Sequence, residues 1–95
     1  MTYNHNTQKK CRTKWTKEEI RTARRQLLKP VLEQLGYRLK PQGAGNYRII
    51  NLPEKVIIKE CYWMNYDDNS SGNAIDFFVK ICGKKFSEAM EILQP

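Results

Sequence analysis

From Trp15 onward, apolar residues recur at helical spacing, with Ile20, Ala23, Leu27, Val31 and Leu35 falling three and four apart, the period of one helix face. Thr16 precedes Lys17-Glu18-Glu19 as an N-cap, with Glu19 at the reciprocal capping-box position and Trp15 placed to staple back onto Ile20. Lys17, Arg21, Arg24 and Arg25 project from an adjoining face, so one side of this helix packs and the other is cationic. Pro30 has no amide hydrogen and its ring clashes with the preceding turn. The pattern therefore predicts a break near Lys29, a short second helix opened by Pro30, and a stop at Gly36.

The period then shifts to two. Tyr37-Arg38-Leu39-Lys40 and Tyr47-Arg48-Ile49-Ile50 flank a turn-forming stretch, 41–46, and read as a β-hairpin. Val56-Ile57-Ile58-Lys59 and Cys61-Tyr62-Trp63-Met64 supply further strands rich in β-branched and aromatic residues. Alternation allows only one of Tyr62 and Trp63 to face outward, and Trp63 is assigned to the core. Residues 67–72 read as a polar loop. Asn73 then caps a helix with Asp76 at its third position, a buried stripe of Ile75, Phe78, Val79 and Cys82, and a stop at Gly83. A last helix opens at Ser87 with Phe86, Ala89, Met90 and Leu93 on one side, and Phe77, Phe78 and Phe86 are all assigned to the core. The expected fold is α+β. A small antiparallel sheet of three or four strands is flanked by an N-terminal helix pair and two C-terminal helices, all in one domain over residues 15–95. Residues 1–14 carry no apolar period and are expected to form a flexible basic arm.

Composition sharpens this picture in three places. A chain of 95 residues supports one core with little spare stability. Cys11, Cys61 and Cys82 are odd in number and widely spaced, with no Cys-x-x-Cys pair, which argues for reduced thiols, two of them buried, rather than a disulfide framework or a conventional zinc site. No apolar run approaches the roughly 20 residues of a membrane span and no secretory signal is evident, so a cytoplasmic location away from membranes is expected. The net charge of +7 is concentrated: nine basic and two acidic residues lie through Lys29, while eight of each follow. A positive field at one end suggests a polyanionic partner.

Motifs of catalysis and metal binding do not emerge. Gly43-Ala44-Gly45 lacks a following Lys-Ser/Thr and reads as a hairpin turn; Asp67-Asp68-Asn69 lacks the glycine and glutamate of a calcium loop; no nucleophile has a base partner. No enzyme activity, metal or other cofactor is expected.

Gly72-Asn73-Ala74-Ile75-Asp76-Phe77-Phe78, followed by Gly83, Phe86-Ser87 and Glu88-Ala89, resembles the end of the zinc-binding module of bacterial replicative primases. Upstream, Glu18-Glu19-Ile20, Leu32-Glu33-Gln34-Leu35-Gly36-Tyr37, Tyr47-Arg48 and Tyr62-Trp63 are similar to the N-terminal module of primase-like proteins of plasmids, phages and conjugative elements. The resemblance spans residues 15–93 and implies a zinc-ribbon-like fold in a protein of a mobile genetic element, tied to DNA replication. Relatives of that kind carry a Toprim catalytic domain next, whereas this chain ends at Pro95, so no Toprim domain is expected with it. The zinc ligands of the family do not carry over: the positions of its Cys-x-x-Cys pair fall near Asn65 and Asp68, and the only histidine is His5. Tetrahedral zinc needs four converging ligands, so the metal is expected to be lost, with Trp63, Tyr62 and the strand at 56–58 holding the fold by apolar packing instead.

These readings converge on a non-enzymatic nucleic-acid-binding module, with single-stranded DNA or RNA as the expected partner. Lys9, Lys10, Arg12, Lys14, Lys17, Arg21, Arg24 and Arg25 would neutralise phosphates. By position in the resemblance, Tyr47, Arg48, Lys59, Tyr62 and Tyr66 would stack on bases and contact the backbone from the sheet. The alternatives are a protein-interaction factor, such as a phage-type inhibitor or decoy of a replication or host-defence nucleoprotein, or an accessory subunit of a split primase.

Overall fold

The computed structural model describes residues 15–94. The expected arm, with Lys9, Lys10, Arg12, Lys14 and Cys11, lies outside the described residues, as does Pro95.

Helix α1 spans Lys17–Arg24 and starts where its capping signals place it. The Glu19 N–H donates to Thr16 Oγ1 at 3.0 Å, and the Glu19 carboxylate accepts from the Thr16 N–H at 2.9 Å. Trp15 and Ile20 pack at the edge of the core, and Ala23 is fully buried. After a break at residues 25–27, α2 runs Leu28–Gln34. It begins two residues ahead of Pro30, which sits in the first turn, where a missing N–H leaves no intrahelical bond unmade. The break was expected, but the membership of the apolar stripe is corrected here. Leu27 and Leu35 are 54% and 50% exposed, whereas Leu28 and Leu32 are buried. Leu27 is the extended N-cap of α2, so the helical phase restarts at that point.

Five antiparallel strands form a meander in the order β1 (Leu39–Gly43), β2 (Asn46–Ile49), β3 (Val56–Lys59), β4 (Tyr62–Asn65) and β5 (Ser70–Gly72). At the first hairpin Ala44 and Gly45 both have positive φ, 54° and 80°, the sign that matches the twist of the flanking strands. The turn between β3 and β4 contains Glu60, whose carbonyl accepts the Leu28 N–H at 3.0 Å and ties α2 to the sheet. The fifth strand exceeds the three or four expected. Ser70-Ser71-Gly72 has no apolar alternation to reveal it; local side-chain bonds aim it at β4 instead. Asn65 Oδ1 accepts the Asp67 N–H at 2.9 Å, and Asp68 Oδ1 accepts the Ser70 N–H at 2.9 Å and its hydroxyl at 2.6 Å. Such Asx turns bend the chain within two residues, and Asn65 then pairs with Ser70 and Trp63 with Gly72.

The C-terminal unit opens with α3 (Ala74–Asp76), continues as a π-helical turn over Phe77–Ile81, and ends in α4 (Phe86–Leu93). Asn73 and Asp76 form a capping box, each side chain accepting the other's N–H at 3.1 Å. The motif that carries the resemblance thus has a local physical reason. A Cβ on Gly72 would lie 2.5 Å from Asp76 Oδ2 and 2.6 Å from Asp76 Cβ, so glycine is what lets the capping carboxylate fold back against the strand end. Gly72→Ala is expected to lower stability by about 1–3 kcal/mol, read as an earlier urea midpoint with unchanged slope.

Phe77 and Phe78 are fully buried and in edge-to-face contact at 5.3 Å, with Trp63 and Tyr37 against Phe77 at 6.3 and 6.4 Å. The Trp63 indole N–H donates to the Asn73 carbonyl at 2.9 Å. Two core expectations are overturned here: Val79 is 37% and Phe86 44% exposed. The π turn rotates the chain by less per residue than the 3.6-residue period assumed from sequence. It brings adjacent Phe77 and Phe78 both inward and leaves Val79 outside. Phe86, not Ser87, is the first residue of α4, and Ala89, Met90 and Leu93 carry its buried side. Cys61 is buried, as expected; Cys82 is half-buried, its thiol 3.5 Å from the Tyr37 hydroxyl. That hydrogen bond, aided by burial, pushes the Tyr37 hydroxyl up to about 12.

Candidate nucleic-acid interface

Strand register assigns every sheet side chain to a face. Leu39, Tyr47, Ile49, Val56, Ile58 and Trp63 turn inward, where Ala23, Leu28, Leu32, Phe77, Phe78 and Met90 from the helices complete one core. The opposite face carries two cross-strand rows. Lys40, Arg48, Ile57, Met64 and Ser71 face one another in succession across all five strands, and Asn46, Lys59 and Tyr62 form the shorter row beside them. All four helices contribute to the core on the inner face.

This open face combines three kinds of contact. Tyr62 is 61% exposed, and with Ile57, Met64, Lys59, Asn46 and Tyr66 it lines a shallow groove of about 440 Å³. Tyr66 closes one end of the groove just beyond β4, its N–H donating to the Lys55 carbonyl at 2.8 Å and the Lys55 ammonium 5.4 Å from its ring centre. Lys40, Arg48 and Lys59 contribute positive charge, and among the described residues none in a strand bears a carboxylate, histidine or thiol. Such a surface offers stacking, dispersion and phosphate neutralisation rather than proton transfer.

The residues singled out from sequence divide into separate sets. Arg48, Lys59, Tyr62 and Tyr66 are brought together on the open face. Tyr47 is not: it points to the helical side, packs on the core edge, and has the Lys29 ammonium 5.4 Å from its ring centre. Lys17, Arg21, Arg24 and Arg25 are exposed on α1 and the residue after it, in the helical layer against α3 and α4. They lie across the core from the open sheet face. Arg21 is engaged with Glu18 at 3.1 Å. Sequence reasoning missed Lys40, Lys55, Ile57 and Met64. Strict alternation from Tyr62 would have flagged Met64; placing Lys40 and Ile57 in the same row required the strand pairing.

The residues at the resemblance's metal positions do not fit zinc. Asn65 Oδ1 and Asp68 Oδ1 accept the N–H groups of Asp67 and Ser70, and Asn65 offers a neutral amide where the family has a thiolate. The Ser70 hydroxyl and N–H hold the Asp68 carboxyl below its ordinary range. No group of three or more His, Cys, Asp or Glu side chains converges among the described residues. No helix among them is long and apolar enough to cross a membrane. Compared with known protein families and with curated proteins, the chain matches none.

Proposed function

We propose that this domain is a non-enzymatic nucleic-acid-binding module that lays single-stranded DNA or RNA across the open face of its sheet. The observation that carries the reading is the pair of cross-strand rows, in which an exposed tyrosine, an apolar floor and cations outside the ion pairs of the described residues share one surface. Tyr62 and Tyr66 offer π-faces for unstacked bases, Ile57 and Met64 form the apolar floor between them, and Lys40, Arg48, Lys55 and Lys59 meet the phosphates. A duplex hides its base faces, so the same surface would meet only its backbone. Lys17, Arg21, Arg24 and Arg25, in the helical layer, would add phosphate affinity without discriminating single strands from duplex.

The resemblance to primase zinc-ribbon modules of mobile elements supports the same reading and suggests a role in replication of such an element. In this reading the Trp63–Phe77 packing and the Asn73–Asp76 capping box, close in sequence to the Asn65 and Asp68 positions, hold this part of the chain by protein contacts in place of a metal.

Fluorescence anisotropy with labelled single-stranded DNA, RNA and duplex DNA across a salt series tests the proposal. Single strands are expected to bind at least tenfold more tightly than duplex. The logarithm of affinity should fall with the logarithm of salt at about 0.7 per phosphate contact. The triple variant Arg21→Ala/Arg24→Ala/Arg25→Ala should weaken all three ligands alike. Equal affinity for duplex and single strands, or no binding near physiological salt, would overturn it.

A further inference from the structure

We infer that the cleft between α1, the π-helical turn and the start of α4 is a docking site for an acidic amphipathic segment of a partner protein. This site is separate from the sheet face and does not rest on the nucleic-acid reading. The cleft encloses about 540 Å³ and is lined by Arg24, Asn73, Ile75, Asp76, Val79 and Phe86. Ile75, 6% exposed, is its buried apolar member, and Val79 and Phe86 stand open at 37% and 44%. Both are residues that the helical period assigns to the core. The π turn is the device that puts Val79 outside, and π turns of this kind occur disproportionately at functional positions.

Charge identifies the occupant. Arg24 lines the cleft, and the exposed Lys80, Lys84 and Lys85 lie within two residues of Val79 or Phe86 in the chain. The carboxylates nearest in sequence are already committed to helix caps: Asp76 accepts from the Asn73 N–H at 3.1 Å and Glu88 from the Lys85 N–H at 2.8 Å. Among the described residues the ion pairs are Arg21–Glu18 and Lys29–Glu33, neither involving these four cations. A half-apolar cleft lined by Arg24, with three exposed lysines close by in sequence outweighing Asp76 and Glu88, is complementary to a segment bearing Leu or Phe on one side and Asp or Glu beside it, the helix-in-groove mode of recognition. A nucleic-acid backbone would satisfy the cations but leave Val79 and Phe86 uncovered, which favours the protein segment.

The test is selection from a displayed library of random 16-residue peptides on the immobilised full chain, counter-selected against the double variant Phe86→Ser/Arg24→Glu. The expected outcome is enrichment of peptides combining acidic residues with Leu, Phe or Met, binding at micromolar Kd. Phe86→Ser and Arg24→Glu should each weaken binding at least tenfold, and Val79→Ser, which keeps the helix cap intact, should do the same. Tyr62→Ala/Lys59→Ala should leave the peptides bound, so this inference and the proposed function fail separately. It is overturned by no enrichment over the double variant, by enriched peptides lacking acidic residues, or by displacement of the peptides by single-stranded DNA. Self-association of the chain that Phe86→Ser abolishes would mean that a second copy covers the cleft, and would overturn it as well.

Discussion

Replacing Arg48, Lys59 and Tyr62 together with alanine is expected to reduce affinity for single-stranded DNA or RNA by about 100-fold or more, with the fold retained. Loss of one stacked base contact costs about 1–3 kcal/mol, and each lost phosphate contact removes part of the counterion-release term. The three side chains lie on adjacent strands of one face, with Lys59 directly opposite Tyr62. Their effects should therefore be non-additive, as for groups sharing one ligand. Tyr62 and Lys59 are exposed and Arg48 is half-buried, so thermal unfolding should shift by only a few degrees. The salt dependence should become shallower by about 1.4, for two lost phosphate contacts at roughly 0.7 each. Tyr47→Phe is the matched control: its ring turns to the core side, and it should leave affinity within about twofold. A triple variant that binds as the parent does would remove the sheet face from the mechanism.

Phe77→Ala is expected to be the most damaging single substitution for stability, at about 3–5 kcal/mol. The ring is fully buried and touches Tyr37, Trp63 and Phe78, joining the segment that leads into β1, the fourth strand and the C-terminal helices in one cluster. A chain this size has a total stability of about 5–14 kcal/mol, so the variant stands near its unfolding threshold. Urea unfolding followed by circular dichroism measures the change. A loss below about 1 kcal/mol would mean that the aromatic cluster does not hold the domain together. Adding a chelator to the parent protein should leave the urea midpoint where it was, because this account has packing rather than zinc closing the fold.

Much of the architecture was legible in the chain because local signals and tertiary packing agree there. Thr16 with Glu19, and Asn73 with Asp76, are capping boxes readable as letters, and both begin helices where expected. The alternation at Tyr62-Trp63 correctly sent tryptophan inward. Most errors share a cause: they arise where the backbone departs from the ideal period. The break before Pro30 restarted the helical phase and exposed Leu27 and Leu35; the π turn exposed Val79, while Phe77 is buried as expected; the polar fifth strand was fixed by the Asn65 and Asp68 side chains rather than by any apolar pattern. The candidate site was half legible. Arg48, Lys59, Tyr62 and Tyr66 were singled out, but their grouping with Lys40, Ile57 and Met64 depends on cross-strand register, which requires knowing which strands pair. The cationic α1 was equally readable, but its separation from the sheet face by the whole core was not.

The most direct test of the central claim is a two-dimensional amide NMR titration of the full chain with a ten-nucleotide single strand. The expected result is that the largest shifts fall on Arg48, Ile57, Lys59, Tyr62, Met64 and Tyr66, with the inward residues Ile49 and Ile58 moving little. Shifts confined to α1 and its surroundings, with the sheet unmoved, would contradict it.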